Sequence, residues 1–332
     1  MNPFFMAKYP FVREAREFVT EHFDLGVTDL TAEHSKAIER GFERVCQSVR
    51  RKRVSFDAEN MISYDVEVLS FPIAVMLVAL INDDMLRNVY ATAEAKKCSE
   101  LMAQDRADIL EVAKELEIPF RAVAEEGEGK SLAIKLVDYL SFSPQTWGEK
   151  WRLVNRRVEG GEVYVTALEL ARILEEKIKR VIIERTRTSV DGLKLPQLLD
   201  QRSRELGEMW RDYRARMRPE ARVEPRDVPP CMDKLAKRLT AGENLSHVER
   251  RTLVSYLANV GWTGEEIMSL LRNSPDFNER IARYQMEHLT GSGGRGKKYS
   301  PPSCATMRMY GLCFPDKWCA GIRHPLRYRR GR

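Results

Sequence analysis

Four cysteines in the last third of the chain are the residues whose type and spacing suggest chemistry. Cys231 stands alone, whereas Cys304, Cys313 and Cys319 lie within sixteen residues of one another. Thiolates are ligands of both zinc and iron–sulfur clusters, and four of them complete a ligand set. The order C-x8-C-x5-C lacks the C-x2-C pairs that zinc knuckles and common ferredoxins use. Spacing alone therefore leaves three alternatives open: an iron–sulfur cluster, a zinc ion or unconnected buried thiols.

Positive charge is concentrated in the same part of the chain. Residues 231–332 contain 18 Lys and Arg against 9 Asp and Glu, whereas residues 1–230 contain 37 against 40. A basic domain of this kind is typical of a protein that contacts a polyanion. The composition of the whole 332-residue chain, 43% hydrophobic and 31% charged, indicates a folded globular protein rather than a disordered one.

The sequence predicts neither a secretory signal nor a membrane span, so an intracellular protein, cytoplasmic and nucleoid-associated, is expected. The first residues carry charges of both signs from Lys8 onward. The longest apolar run, Phe71 to Ile81, is too short to cross a bilayer and is predicted to be a buried helix. Cys46 and Cys98 stand alone in helical patterns and are predicted to be packed thiols rather than parts of a disulfide framework.

The elements that must position these residues are predicted to be mainly helical. Apolar residues three and four apart predict helices through most of residues 10–123, over 131–140 and 167–217, and again within 231–290. Alternating β-branched and polar residues on both sides of Gly160 and Gly161 predict a β-hairpin near residues 151–166. The expected fold class is therefore mainly α, with a small β-hairpin (α+β) insertion.

A proline-rich stretch divides the chain into two predicted domains. Residues 218–230, RPEARVEPRDVPP, contain four prolines among alternating charges and are expected to form a semi-rigid linker. The linker separates a helical N-terminal domain, residues 1–217, from a smaller, basic helical domain, residues 231–332. The end of this second domain is rich in Pro and Gly and poor in apolar residues, so its cysteines are expected to staple it.

Residues 124–131, AEEGEGKS, loosely match a phosphate-binding P-loop. Ala124 replaces the first glycine, the preceding residues are a poor strand, and no apolar strand ending in Asp follows. A surface turn is the favoured interpretation, and nucleotide hydrolysis is not expected.

Seven segments resemble the archaeal and eukaryotic DNA primase large subunit, in order and along essentially the whole chain. The N-terminal segments are KYPFVREAREFV, SFPIAVMLVALINDDMLRNVYATAEAKKCSELM and LVNRRVEGGEVYVT; the C-terminal ones are PPCMDKLAKRL, LSHVERRTLVSYLANVGWT, YQMEHLTGSGGRGKKYSPPSC and GLC…WCAGIRHPLRY. The resemblance implies a regulatory subunit that is not itself catalytic. Such a subunit supports RNA primer initiation and synthesis in DNA replication, as one half of a heterodimer with the catalytic small subunit. Its N-terminal domain docks that subunit.

The resemblance also implies a cofactor and ligands for the C-terminal domain. It places one [4Fe–4S] cluster on Cys231, Cys304, Cys313 and Cys319. The domain is then expected to bind single-stranded template DNA, the primer junction, the initiating nucleoside triphosphate and the primer's 5′-triphosphate end.

The resemblance assigns the triphosphate contacts to His247 and Arg250, with Arg251 as their neighbour. Tyr284 matches the second of two base-contacting tyrosines in the family, and Ala282 occupies the position of the first. Further predicted contacts to nucleic acid flank the same surface or supply salt-dependent attraction to phosphates: His288, Lys297, Lys298, Tyr299 and Arg323.

Two alternatives belong to other classes of protein. An iron–sulfur DNA-repair enzyme, such as a glycosylase or nuclease, requires a catalytic lysine, carboxylate or metal-binding acid cluster. The close acidic pair Asp83 and Asp84 is expected to be a helix terminus instead, and no catalytic residue is predicted. The other alternative is a nucleic-acid-binding protein stapled by zinc.

Overall fold

The computed structural model describes residues 2–23, 34–58, 63–123, 131–143, 149–190, 192–217, 227–291 and 298–330. These residues are mainly helical, with one small antiparallel sheet, so the expected fold class is confirmed. The chain separates into two compact units, Met1–Trp210 and Arg211–Arg332. Of the predicted linker, residues 218–226 lie outside the described residues.

Nine helices belong to the N-terminal part of the chain. They are α1 (Pro3–Lys8), α2 (Arg13–Phe23), α3 (Ser35–Arg51), α4 (Tyr64–Ile81), α5 (Asp84–Met102), α6 (Arg106–Glu115), α7 (Leu136–Phe142), α8 (Ala167–Arg185) and α9 (Gln197–Met217), counted within the described residues. The most extensive helix packing is between α3 and α4 and between α5 and α8. The side chain of Asp83 caps α5 by accepting from the amides of Met85 and Leu86, as expected for a helix terminus.

A buried ion network ties α3, α4 and α5 together. Arg44 on α3 is fully buried and donates to Glu94 on α5 (2.8 Å) and to Glu67 on α4 (3.0 Å). Lys97 lies 2.9 Å from Glu94. Burial by itself would raise the pKa of Glu94, but the charges of Arg44 and Lys97 outweigh it and hold that pKa well below its usual range.

Helix α4 is longer than the apolar run from which it was predicted. Its 18 residues have a mean hydropathy of 1.9, so by length and composition it could cross a membrane, yet 56% of it is buried inside the protein. Burial on this scale is typical of a core helix, and Glu67 on α4 belongs to the ion network. The prediction of a buried helix over Phe71–Ile81 is confirmed for most of that run.

The sheet contains four antiparallel strands in the order β1-β2-β4-β3: β1 (Phe120–Val123), β2 (Ser131–Lys135), β3 (Val158–Glu159) and β4 (Glu162–Val165). Strands β3 and β4 are the predicted hairpin, and Gly160 and Gly161 adopt the positive φ angles (57° and 79°) that its turn requires. The helix predicted over 131–140 is wrong in its first half, because Ser131–Lys135 pairs with β1 and β4 and the helix begins only at Leu136. The P-loop-like residues 124–130 lie outside the described residues.

Cys46 and Cys98 are packed thiols, as predicted. They are 6% and 1% exposed. Burial raises the pKa of the Cys46 thiol to about 11 and that of Cys98 to about 12, so both remain protonated and inert at neutral pH.

The second unit is a small helical domain around a core of its own. Its helices are α10 (Pro230–Thr240), α11 (His247–Asn259), α12 (Gly264–Leu271), α13 (Glu279–Thr290) and α14 (Cys304–Met309). One apolar cluster contains Cys231 from α10, Met286 from α13 and Met307 from α14, and Cys313 packs against it. Cys231 is thereby part of the domain core, and Cys313 is in contact with it.

Candidate functional site

The first turn of α11 carries three of the predicted phosphate ligands. Ser246 and Glu249 form a capping box in which the Ser246 hydroxyl accepts from the Glu249 amide (3.0 Å) and the Glu249 carboxylate accepts from the Ser246 amide (2.8 Å). Arg238 on α10 pairs with Glu249 and fixes this carboxylate further. The helix therefore starts sharply at His247.

A cleft of about 440 Å³ opens beside this turn, between α11 and α13. It is apolar at its base and basic or aromatic at its rim. The structure brings six of the nine predicted nucleic-acid contacts together in its lining: His247, Arg250, Arg251, Tyr284, His288 and Tyr299. They come from α11, from α13 and from an extended segment, and the first and last of them are more than fifty residues apart in the chain.

Arg250 is held from one side only. Its Nη2 donates to the Leu245 carbonyl (3.2 Å) and lies 3.2 Å from Asp276. Its Nε is buried and has no hydrogen-bond partner among the described residues. A buried donor without a partner costs about 1–3 kcal/mol.

Tyr299 is already engaged by other side chains of the cleft. Its ring stacks on His288, with centroids 5.1 Å apart and planes at 27°, and the Arg251 guanidinium lies 5.7 Å from the same ring. Its backbone is fixed as well, since its amide donates to the Leu289 carbonyl (3.0 Å) and its carbonyl accepts from Asn259 (2.8 Å). Tyr299 is thus a fixed support for Arg251.

Tyr284 is the ring of the cleft that remains open. Its side chain is 71% exposed, whereas Ala282, two residues earlier on α13, is 5% exposed and belongs to the domain core. Positions two apart on a helix point in different directions, which explains why an alanine fits at the first position.

Of the remaining three predicted contacts, Lys298 and Arg323 do not line the cleft. Lys298 is exposed and adjoins Tyr299, whereas Lys297 lies outside the described residues. Arg323 is exposed, and its carbonyl accepts from the Cys304 amide (3.0 Å), which places it near the cysteines instead. Sequence reasoning missed Asp276 and Gln285, which touch Arg250 and the cleft respectively.

The four cysteines lie close enough to influence one another electrostatically. Burial raises the pKa of Cys231 to about 12, and Cys313 and Cys304 add to this shift. Burial also raises the pKa of Cys304, with a contribution from Cys313, and that of Cys319, with a contribution from Cys304. Thiolates at these four positions would repel one another. A cationic ligand that compensates for their negative charge is therefore favoured.

No three His, Cys, Asp or Glu side chains within the described ranges lie close enough together to hold a single metal ion. The donor set itself is four thiols in a basic environment, with Cys231 at 8% exposure and the other three half-buried. Four thiols are the complete ligand set of an iron–sulfur cluster or of a structural zinc ion.

Comparison with known proteins covers both units. The family model of the eukaryotic and archaeal DNA primase large subunit N-terminal domain matches residues 22–191, and that of the C-terminal domain of the same subunit matches residues 221–321.

Individual relatives match over nearly the full length. The DNA primase large subunit PriL of Methanococcoides burtonii is 34% identical over 97% of this chain and 90% of its own. The corresponding proteins of Methanocella arvoryzae (32%, covering 98% and 87%) and Halobacterium salinarum (30%, covering 97% and 91%) are similar to the same extent. The chain belongs to the family of eukaryotic and archaeal DNA primase large subunits.

Proposed function

We propose that this chain is the regulatory subunit of a primase and binds the 5′-triphosphate end of the initiating nucleotide and of the growing RNA primer in the cleft between α11 and α13. The observation that carries the proposal is the convergence of six predicted contacts in one cleft. The chain supports primer synthesis without catalysing it, inside the cell and on the chromosomal DNA of the nucleoid.

The cleft offers each part of such a ligand a suitable partner. Arg250 and Arg251 line the cleft and supply charge-assisted donors to phosphate oxygens. The start of α11 adds the partial positive charge of a helix N-terminus. The exposed ring of Tyr284 offers a face on which a base of the template–primer junction stacks.

Replacement of Arg250 tests this assignment. Arg250→Ala is expected to weaken binding of a hairpin RNA–DNA duplex with a 5′-triphosphate roughly 10- to 100-fold, the effect of losing hydrogen bonds to a charged group. Binding of the same hairpin with a 5′-hydroxyl is expected to change less than about threefold. Fluorescence anisotropy measures both.

Arg283→Ala is the matched control. Arg283 lies on α13 but outside the cleft lining and pairs with Glu265 and Glu279. Its loss is expected to leave both hairpins bound as before. Equal losses of the two hairpins in Arg250→Ala would remove the triphosphate from the proposal.

We further propose that Cys231, Cys304, Cys313 and Cys319 hold one [4Fe–4S] cluster. The observations that support it are the four thiols themselves, their mutual electrostatic influence and the contact of Cys231 and Cys313 with the domain core. In such a cluster each cysteine binds a different iron, so the ligands are spread more widely than those of one ion. The cluster supplies a rigid cross-link, and iron–sulfur clusters as a class can also carry an electron.

Metal analysis decides this second proposal. Protein purified without oxygen is expected to contain about four irons and four acid-labile sulfides per chain, the content of one cluster. A content of one zinc and no sulfide per chain would show that the cysteines bind zinc instead of a cluster. The assignment of the cleft would not be affected.

A third proposal concerns the catalytic small subunit. Large apolar side chains are exposed around the small sheet, on α7, the turn after Trp151, β3 and the start of α8: Val137 (73%), Leu140 (45%), Val154 (86%), Val158 (42%) and Leu168 (60%). The Leu136 amide donates to the Gly161 carbonyl (2.9 Å), and Arg156 pairs with Glu169 (2.7 Å), so these elements adjoin. Exposed apolar patches of this kind mark protein–protein interfaces.

We assign this patch to the docking of the small subunit. The double variant Val154→Asp/Leu168→Asp is expected to abolish co-purification of the co-expressed small subunit. Leu193→Asp, at a side chain of the same unit that is 43% exposed, is the matched control. Retention of the small subunit by the double variant would exclude the patch.

A further inference from the structure

A second exposed surface lies on the segment that joins the last three cysteines. Residues 308–318, RMYGLCFPDKW, carry Met309, Tyr310 and Phe314 at 84%, 42% and 38% exposure. None of these residues lines the cleft between α11 and α13. We propose that this segment, which we name the cysteine-loop surface, binds single-stranded nucleic acid by base stacking.

The backbone beneath these side chains is fixed. Met307, directly before the surface, is 1% exposed and lies in the domain core. The Met307 carbonyl accepts from the Leu312 amide (2.9 Å), and the Thr306 carbonyl accepts from the Tyr310 amide (3.0 Å). The exposed rings therefore stand on a braced turn, and ordering them for a ligand costs little entropy.

Two lysine side chains of this domain contact aromatic rings of the cysteine-loop surface. The Lys234 ammonium, from the first turn of α10, lies 3.5 Å from the centroid of the Phe314 ring. Lys317 lies 4.9 Å from the Trp318 ring. Interleaved cations and rings are the pattern by which proteins bind single strands, since the cations follow the phosphates and the rings stack with bases of any identity.

The acidic groups near the surface are already bound within the protein. Asp316 accepts from the Tyr328 hydroxyl (2.6 Å) and from the Trp318 amide (2.9 Å). Asp233 pairs with Lys237 (2.8 Å). With these carboxylates engaged and Arg308 exposed as a further cation, the charge favours a polyanion over an apolar protein segment.

This inference rests on the proposed function, since it supplies that subunit with a contact for the unpaired template. The cleft would hold the triphosphate end, and the cysteine-loop surface would hold the single strand. The two sites have different chemistry and can be tested separately on the full-length chain.

The test uses two labelled probes: a 20-nucleotide oligo-dT with 5′-hydroxyl, and a blunt RNA–DNA hairpin with a 5′-triphosphate and no unpaired extension. The double variant Tyr310→Ala/Phe314→Ala is expected to weaken binding of the oligo-dT about 5- to 100-fold and to leave the hairpin within about twofold. Tyr64→Ala is the matched control, because Tyr64 is as exposed (44%) as Tyr310 and lies in the other unit.

Lys317→Gln provides an independent measurement. The logarithm of oligo-dT affinity falls linearly with the logarithm of salt concentration, and loss of one phosphate contact is expected to reduce that slope by about 0.7. An unchanged slope would remove Lys317 from the surface.

Three results would overturn the inference. The first is unchanged oligo-dT binding by the double variant. The second is an equal loss of both probes, which would mean that the domain as a whole had been perturbed. The third is loss of the small subunit instead of oligo-dT, which would make the surface a protein interface. If Arg250→Ala did not weaken binding of the 5′-triphosphate hairpin selectively, only the triphosphate assignment would be contradicted.

Discussion

The two tyrosines of the cleft differ in how far their rings are free to contact a ligand. Tyr299 stacks on His288 and carries the Arg251 guanidinium, whereas Tyr284 is 71% exposed. A ring that supports a charged ligand group and a ring that receives a base have different tolerances to substitution. The resemblance places both tyrosines on one nucleic-acid surface. The structure distinguishes them, because Tyr299 supports Arg251 whereas Tyr284 has an exposed ring.

Substitution at Tyr299 is expected to act through Arg251. Tyr299→Phe keeps the ring and should bind the 5′-triphosphate hairpin within about twofold of the native chain. Tyr299→Leu should weaken it by about 0.5–2 kcal/mol, the range of a cation–π contact. In the Arg251→Ala background, Tyr299→Leu should cause little further loss of hairpin binding. A double-mutant cycle followed by fluorescence anisotropy measures this. Full additivity would show that Tyr299 acts independently of Arg251.

The six predicted residues of the cleft come from the resemblance to the family, and local sequence supports three of them. His247, Arg250 and Arg251 fall on one helical turn behind a capping box, which the sequence LSHVERR displays directly. Asp276 is 26 residues from Arg250, and its pairing depends on how α12 and α13 fold back. No local pattern contains that information.

Element prediction succeeded where amphipathic periodicity was strong and failed at the sheet. The helices α3, α8 and α11 lie within the ranges predicted to be helical, and the glycine pair marks the turn of the hairpin. The sequence predicts strand β2 to be the start of a helix because its apolar residues run without a break into α7. What makes Ser131–Lys135 a strand is pairing with β1 and β4, which is a tertiary contact.

Helices α3 and α4 approach each other closely at Gly41. A Cβ atom there would lie 2.7 Å from Ile73 Cγ2 and 2.9 Å from the Ser70 carbonyl. Gly41→Ala is therefore expected to lower the free energy of unfolding by about 1–3 kcal/mol, although alanine is the better helix former. Urea unfolding followed by circular dichroism measures this loss.

Removal of the Ile73 methyl group that takes part in this clash provides the control. If the clash is the cause, Gly41→Ala should cost less in an Ile73→Ala background than in the native chain, although the Ser70 carbonyl remains in place. A Gly41→Ala chain as stable as the native one would show that α3 and α4 separate at no cost.

The ion network between α3, α4 and α5 predicts a dependence of stability on pH. Because the folded-state pKa of Glu94 lies below its unfolded value of about 4.5, its contribution is fully present above that value and is lost as the pH falls through the folded pKa. The free energy of unfolding should therefore decline below about pH 4.5.

Glu94→Gln tests the origin of this decline. It removes one of the two carboxylates that face Arg44 and the one that pairs with Lys97, so that Glu67 alone opposes Arg44. This is expected to cost about 3–5 kcal/mol at pH 7, and the acid-dependent loss should become shallower. The exposed pair Arg13–Glu17 offers the control, since Glu17→Gln should cost less than about 1 kcal/mol. An unchanged acid profile in Glu94→Gln would assign the decline to other carboxylates.

At the scale of the whole molecule, the two units differ in what stabilises them. The N-terminal unit has a large apolar core and a buried ion network, and its two cysteines are ordinary core residues. The second unit is smaller and basic, and its core includes Cys231, with Cys313 packed against it. Small domains of this size commonly need a staple in addition to their apolar core.

Loss of one proposed cluster ligand should therefore affect one unit only. Cys313→Ser is expected to unfold the region after Cys231 and to leave residues 1–217 folded, because metal-site binding energy is folding energy for the domain that contains it. Limited proteolysis with mass spectrometry should yield an N-terminal fragment alone. Cys46→Ser, in the other unit, should leave the C-terminal fragment protected. A protected C-terminal fragment in Cys313→Ser would contradict the stapling role.

Helix α4 has a consequence for how the chain is made. While it leaves the ribosome, its 18 residues, with a mean hydropathy of 1.9, could be mistaken for a membrane segment by the targeting machinery. Helix α3, its main packing partner, precedes it in the chain and carries Arg44, which binds Glu67 of α4. The helix that covers α4 is thus synthesised first. Helix formation and loop closure each take about a microsecond or less, whereas residues are added at only about 5–20 per second. We expect this order of synthesis to shorten the time for which α4 is exposed as an apolar segment.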